Sequence, residues 1–196
     1  MRKILTLTLI FLFIMTSAAL ASKPIKIARL PIVIQKNRLD RETSAALEMK
    51  FARVVKIPLN GTLKIAEYIP PKESAQLLNE IWQEMYAEDK DARIANAVKI
   101  FARETKADLV VCPVLHRYWQ RVSPISFSSE ANLSSSVTAE LIIYDKSTGK
   151  LIDRKISRQY NNNYSRFGMA SYLANQCFDQ LIKDTELRQI IHSKKG

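Results

Sequence analysis

Apolar residues follow three rhythms along this chain. They dominate from Ile4 to Met15, with Thr6 and Thr8 among them, and after that short near-continuous runs trade places with stripes recurring every three or four positions. The run Ile25, Ile27, Leu30, Ile32, Val33, Ile34 predicts a strand over 26–34, covered on both faces and ended or bulged at Pro31. Thr43–Val55 carries a broad helical stripe that includes Leu47, Phe51, Val54 and Val55, and Pro58 with Asn60-Gly61 marks a turn after it. Leu63–Ile69 predicts a short strand stopped by Pro70-Pro71. Glu73–Ala87 is an amphipathic helix through Leu77, Leu78, Ile81, Trp82 and Met85. A second helix over Ala92–Thr105 sets Ile94, Val98 and Phe101 on one face, with Asp89 or Asp91 as its N-cap.

The second half of the chain is strand-like. Leu109–Leu115 predicts a buried strand that continues into the more exposed His116-Arg117-Tyr118-Trp119. Gln120–Ser136 is polar and Ser-rich and predicts a flexible loop. Val137–Tyr144 alternates, with Val137, Ala139, Leu141 and Ile143 on one face, and Asp145–Lys150 contains the Gly of a hairpin connection. Leu151–Tyr160 returns with Ile152, Arg154, Ile156, Arg158 and Tyr160 on one side and Asp153, Lys155, Ser157 and Gln159 on the other. That much charge predicts an edge strand protected from further pairing. Asn161–Arg166 predicts a loop and Gly168–Ile191 a helix whose inner stripe is Ala170, Leu173, Ala174, Cys177 and Leu181. Strands separated by helices pair in parallel through right-handed crossovers. The predicted fold is therefore α/β (α+β): a mixed sheet of about five strands with a C-terminal antiparallel hairpin and helices packed on it.

The first apolar run is too short to span a bilayer, which takes about 20 residues. Arg2 and Lys3 precede it and Ala19-Leu20-Ala21 follows, the layout of a cleaved secretory signal peptide over residues 1–21. The remainder, Ser22–Gly196, is expected to be one globular domain, exported to a periplasm or the cell exterior. Position 22 is Ser, so the Cys that a lipid anchor needs just after cleavage is missing.

Charge is unevenly spread. The whole chain carries +11, but Ser22–Asn60 and Lys146–Gly196 hold +6 each, while the two middle segments are −1 and −2. If the two basic ends meet in the fold they make one face for anionic polymers, membrane headgroups or acidic proteins; otherwise the charge serves solubility. Nucleic acid is a poor partner for an exported chain with no recognised binding motif. The two cysteines, Cys112 and Cys177, are too few for a structural zinc site. They form either a disulfide, which an oxidising compartment permits, or two buried free thiols.

The opening strand Ile25–Pro31, the helix-to-strand passage Ala107-Asp108-Leu109-Val110-Val111-Cys112 and the hairpin Leu141–Asp145 with Thr148-Gly149-Lys150 come in a familiar order. In that order the chain resembles the small α/β domain shared by the N-terminal domain of the TolB translocation protein, the curli secretion-channel subunit and the lipoprotein activators of penicillin-binding proteins. The resemblance covers most of residues 26–182. It implies a non-catalytic envelope protein that works through protein contacts.

Chemical motifs are scarce. His116 and His192 are the two histidines, and no His-Glu-x-x-His, Gly-x-Ser-x-Gly or phosphate-binding glycine loop occurs, so neither cofactor nor metal is expected. Three Asn-x-Ser/Thr triplets, at Asn60, Asn132 and Asn163, match the glycosylation acceptor in a chain rich in Asn and Ser. What stands out is basic residues interleaved with aromatic ones: Arg117, Tyr118, Trp119 and Arg121, then Arg154, Arg158, Tyr160, Tyr164 and Arg166. Arginine and aromatic side chains concentrate at binding hot spots, although arginine stems also pack on rings for purely structural reasons. These nine residues are the candidate interaction surface, and envelope proteins or an anionic envelope polymer are the expected partners. The first functional expectation is an exported accessory protein acting by contact. Its alternatives are a small cell-wall-polymer hydrolase using carboxylates such as Asp108 or Glu140, and a basic carrier of an anionic polymer.

Overall fold

The computed structural model describes residues 23–36, 38–124 and 131–194. The expected export signal over 1–21 lies outside the described residues, as does part of the expected Ser-rich loop. Strand β1 (Ile25–Arg29) and a two-residue β2 (Val33–Ile34) are separated by Pro31. Helix α1 (Arg41–Val55) follows, then a helical turn α2 (Asn60–Leu63), strand β3 (Ala66–Ile69), and helices α3 (Pro71–Glu88) and α4 (Ile94–Thr105). The chain ends with three long strands, β4 (Leu109–Pro124), β5 (Ala131–Asp145) and β6 (Lys150–Asn163), a 3-10 turn (Arg166–Gly168), and helices α5 (Ala170–Asp184) and α6 (Leu187–Ser193). Among the described residues no helix is long and apolar enough to cross a membrane.

The sheet is mixed, in the order β3-β1-β4-β5-β6, with β2 also on β4. β1 runs parallel to β3 and β4, while β4, β5 and β6 form an antiparallel meander with β6 at the edge, as expected. Helices cover both faces at one end of it. α1, α5 and α6 pack one core, in which Leu47, Phe51, Cys177, Phe178 and Leu181 meet Val111, Leu115, Val137, Ala139 and Leu141. Phe51 and Phe178 touch edge to face, with centroids 5.1 Å apart, an arrangement worth about 1 kcal/mol beyond burial. α3 and α4 pack the other core, where Leu78, Ile81, Val98 and Phe101 cover Val110, Cys112, Val114 and Ile142.

Local chemistry sets the ends of these elements. Asp40 caps α1 by accepting from the Thr43 N–H at 2.7 Å. Pro71 opens α3 at a position where no N–H is needed. The break at Pro31 frees the Ile32 N–H, which Glu48 of α1 accepts at 3.0 Å while also pairing with Arg29.

The structure corrects several expectations. Gln120–Pro124 and Ala131–Ser136 are strand, not loop: Gln120 pairs with Ser135, Arg121 with Ser134 and Val122 with Leu133. Leu133, Ser135 and Val137 are buried in alternation, so a period of two runs beneath the serines, and cross-strand partners outweigh their low strand preference. Asn161–Asn163 likewise belong to β6. The strand expected over Leu63–Ile69 begins only at Ala66, because Leu59 and Lys64 take left-handed backbone around α2. Arg93, not Asp89 or Asp91, stands at the start of α4, and Asp89 instead closes a turn onto the Asp91 N–H. The helix expected over Gly168–Ile191 breaks between α5 and α6, where Glu186 is left-handed. No disulfide forms: Cys112 points into the α3/α4 core and Cys177 into the α1/α5 core, with the sheet between them, and both are free and buried.

Two measurements check this packing. Thiol titration of the native protein should find no reactive cysteine, and after unfolding without reductant it should find two; fewer than two would mean a bridge. Gly168 lies against the Tyr160 ring, so an added Cβ would sit 2.3–2.6 Å from ring atoms. Gly168→Ala should therefore cost about 1–3 kcal/mol, read as a lower urea midpoint at unchanged slope.

Candidate functional site

β4 outlasts the strands beside it. Its last partner in β2 is Leu115, yet it continues to Pro124 with β5 and β6 alongside. Over this distal half α3 and α4 no longer cover the sheet, and its outer face is open. A register shift between Leu115 and Arg117 marks a β-bulge at His116. Beyond it, Arg117, Trp119 and Arg121 stand in one column on the open face. Their cross-strand neighbours are Thr138 and Ser157, Ser136 and Gln159, and Ser134 and Asn161. The polar rows are tied together: the Thr138 and Ser157 hydroxyls lie 2.9 Å apart, and the Ser134 hydroxyl donates to Asn161 Oδ1 at 2.8 Å. Trp119 is 43% exposed. With Lys36, Arg117 and Gln159 it lines a shallow depression of about 780 Å³.

The sheet divides the nine candidate residues. Only Arg117, Trp119 and Arg121 share the open face. Tyr118 turns the other way and donates to Asp40 Oδ2 at 3.0 Å, its phenol raised above the ordinary value chiefly by burial. Tyr160 packs on the α1/α5 core and donates to the Asn163 carbonyl at 2.8 Å. Arg158 is half-buried on the same side, its guanidinium beside the Cys177 thiol. Burial raises that thiol's pKa and Arg158 opposes the rise. Tyr118, Arg158 and Tyr160 thus bind the meander to the helices. Arg154 lies far down β6, beside a depression that Asp184 and Glu186 also line. Tyr164 and Arg166 sit past the end of β6, exposed. Lys36, Ser134, Ser136, Gln159 and Asn161 join the open face without having been singled out. For the strand positions among them the signal was the spacing of Arg117, Trp119 and Arg121 at every second residue, which places the three on one side of a strand; Lys36 had none.

The basic ends of the chain do become neighbours, α1 against α5 and α6. The groove between them mixes Lys50, Arg53, Lys183 and Arg188 with Asp179 and Glu186, and Lys50 pairs with Asp179 at 2.5 Å. It is not a uniformly basic face.

Where the covered half of the outer face meets the open half, a titratable cluster crosses the strands. His116 lies between Gln35 Oε1, at 2.6 Å from Nδ1, and the nearly buried Glu140, which meets Nε2. Burial, aided by the Lys155 charge, holds the imidazole pKa below its ordinary value. Asp153, one strand over, is pushed up to about 6 by burial, then by its hydrogen bond to Glu140 and that carboxylate's charge; Arg93, at 3.3 Å, and Lys155 act in the opposite direction. Asp108 is not part of this group. It accepts from the Lys26 N–H at 2.8 Å and anchors the start of β4 to β1. Five to six residues of strand separate it from the level of Glu140, or roughly 20 Å.

No protein-family model and no curated protein matches the chain. Solved structures similar to it include three bacterial proteins. Lipoprotein GNA1162 from Neisseria meningitidis is 18% identical over 82% of this chain and 99% of that one, with a TM-score of 0.36. Hypothetical protein CT253 from Chlamydia trachomatis is 12% identical over 86% and 99%, with a TM-score of 0.45. The LpoB C-terminal domain from Escherichia coli is 12% identical over 72% and 83%, with a TM-score of 0.32. At these scores no family, residue role or activity is transferred.

The Asp153 shift has a stability consequence. An unfolded Asp titrates near 3.8, so between there and about 6 the native protein holds a proton that the unfolded chain has released. The group's contribution to stability is complete below the lower value and is lost as pH rises through the upper one. Asp153→Asn should therefore raise Tm relative to the unmodified protein near pH 7.5, with the gain vanishing near pH 4. An equal difference at both pH values would contradict the shift.

Proposed function

We propose that this is an exported, non-catalytic accessory protein of a cell envelope that works by binding an acidic surface of another envelope protein. The observation that carries the reading is the open face of the distal meander. Arg117, Trp119 and Arg121 form one column on it, Lys36 flanks them, and the neighbouring positions are hydroxyls and amides. No Asp or Glu occurs in 117–124, 131–139 or 154–163, the strand segments that build this half. A flat, arginine-bearing surface with a half-exposed tryptophan favours recognition of a complementary acidic patch. The carboxylates that a hydrolase reading would use, Asp108 and Glu140, do not converge, and each already has a partner within the fold. Export rests on the layout of residues 1–21.

Affinity capture from an envelope extract tests the proposal. The unmodified protein should retain a discrete acidic partner. Trp119→Ala and Arg117→Glu should each weaken retention by tenfold or more, as hot-spot truncations costing about 2 kcal/mol do, with an unchanged circular dichroism spectrum. Retention unaffected by either substitution would remove this surface from the proposal.

A further inference from the structure

The end of the meander carries a second surface, which adjoins the open face and shares Arg121 with it. From Arg117 to Pro124, β4 advances eight residues past its last β2 partner, roughly 25 Å of strand. On the helix side this projection is covered only as far as Gln120, whose Oε1 accepts from the Ala170 N–H at 2.8 Å. Beyond that point lie Val122, 48% exposed, Tyr164, 54% exposed, and Phe167, 65% exposed. Their positions are fixed. Val122 pairs with Leu133, the Tyr164 N–H donates to the Ala131 carbonyl at 2.7 Å beside the end of β5, and Phe167 stacks edge to face on Tyr172. Arg121 and Arg166 are exposed next to them.

Among the described residues, the strand segments at this end and the turn after them carry charge of one sign. Residues 117–124, 131–139 and 154–178 contain no Asp or Glu. Among the described residues, the acidic groups that approach come from the start of α1. Asp40 is engaged by the Thr43 N–H and the Tyr118 hydroxyl, and Glu42 lines the groove that also holds Arg166. Exposed large apolar side chains gathered on one surface mark an interaction site. Val122, Tyr164 and Phe167 stand outside the groove that Glu42 and Arg166 line. Aromatic rings with arginines between them match the interfacial zone of a bilayer, where rings lie at headgroup depth and cations are drawn to anionic lipid.

We infer that this end of the meander docks reversibly on an anionic lipid surface, with Val122, Tyr164 and Phe167 entering the headgroup zone and Arg121 and Arg166 on the phosphates. Arg121 is common to this surface and the protein-binding one, and the two readings are told apart at Tyr164 and Phe167 against Arg117 and Trp119.

The test is co-sedimentation of Ser22–Gly196, free of the apolar leader that would bind lipid by itself. The vesicles are an equal mixture of phosphatidylglycerol and phosphatidylcholine, or phosphatidylcholine alone. Binding is expected to the anionic vesicles only, and to weaken as salt rises. Replacing Tyr164 and Phe167 together by Ser should weaken it about tenfold, and Arg121→Ser or Arg166→Ser about fivefold each. Arg117→Glu with Trp119→Ala should leave most of it. Equal binding to both vesicles, no binding to either, or binding indifferent to the Tyr164 and Phe167 substitutions would overturn the inference. Displacement by millimolar glycerol phosphate would do so as well, because it would point to a site for a free anion instead of a surface contact. Loss of the protein partner in the capture experiment, with vesicle binding intact, would count against the proposed function alone.

Discussion

The architecture depends on a mismatch of length along β4. Sixteen residues of strand run from the buried start at Leu109 to Pro124, and two helices, α3 and α4, are long enough to shelter only the first half of one face. Where both faces are sheltered, β4 is continuously apolar, from Leu109 through Leu115, with parallel β1 and β2 on one side and antiparallel β5 on the other. Where shelter ends, the strand becomes amphipathic and pairs with β5 alone. The same strand thus supplies the centre of the core and the Arg117, Trp119 and Arg121 column of the candidate surface. The surface is rigid because the backbone that carries it is pinned through the core.

The junction between the halves carries its own chemistry. His116, Glu140 and Asp153 occupy three adjacent strands where cover from α4 is running out, with Arg93 and Lys155 close by. The Asp153 carboxyl in such half-sheltered ground resists ionising, since it loses water and lies beside the Glu140 carboxylate. The cluster closes the apolar layer with hydrogen bonds where a hydrophobic side chain would lie in the open.

Much of this order could be read directly from the residues. The helical stripes of Leu77–Met85 and Ile94–Phe101, the stop at Pro31, the alternation of Val137–Ile143 and the charged edge strand all depend on local periodicity, which survives folding unchanged. The failures share one cause, which is that a partner decided the outcome. Ser134, Ser135 and Ser136 have no strong preference of their own, and only pairing with β4 and β6 makes them a strand. The nine interleaved residues read as one cluster because a linear scan cannot see which side of a sheet each occupies. The two cysteines, a plausible pair on paper, lie in separate cores because the sheet runs between them. Lys36 reaches the candidate surface from a loop eighty residues upstream, a juxtaposition that no window of sequence contains.

The bulge at His116 has a wider meaning. One additional residue in β4 inverts the parity of every position after it. Before it the odd-numbered residues Leu109, Val111 and Leu115 face α1 and α5, whereas after it the even-numbered Tyr118, Gln120 and Val122 do. Deleting that single residue would reverse the facing of β4 from Arg117 to Pro124, with guanidinium groups pressed toward the apolar layer and a tyrosine in solvent. Which side chains this stretch exposes is therefore written in a count of backbone units, and a one-codon deletion would exchange one set for the other.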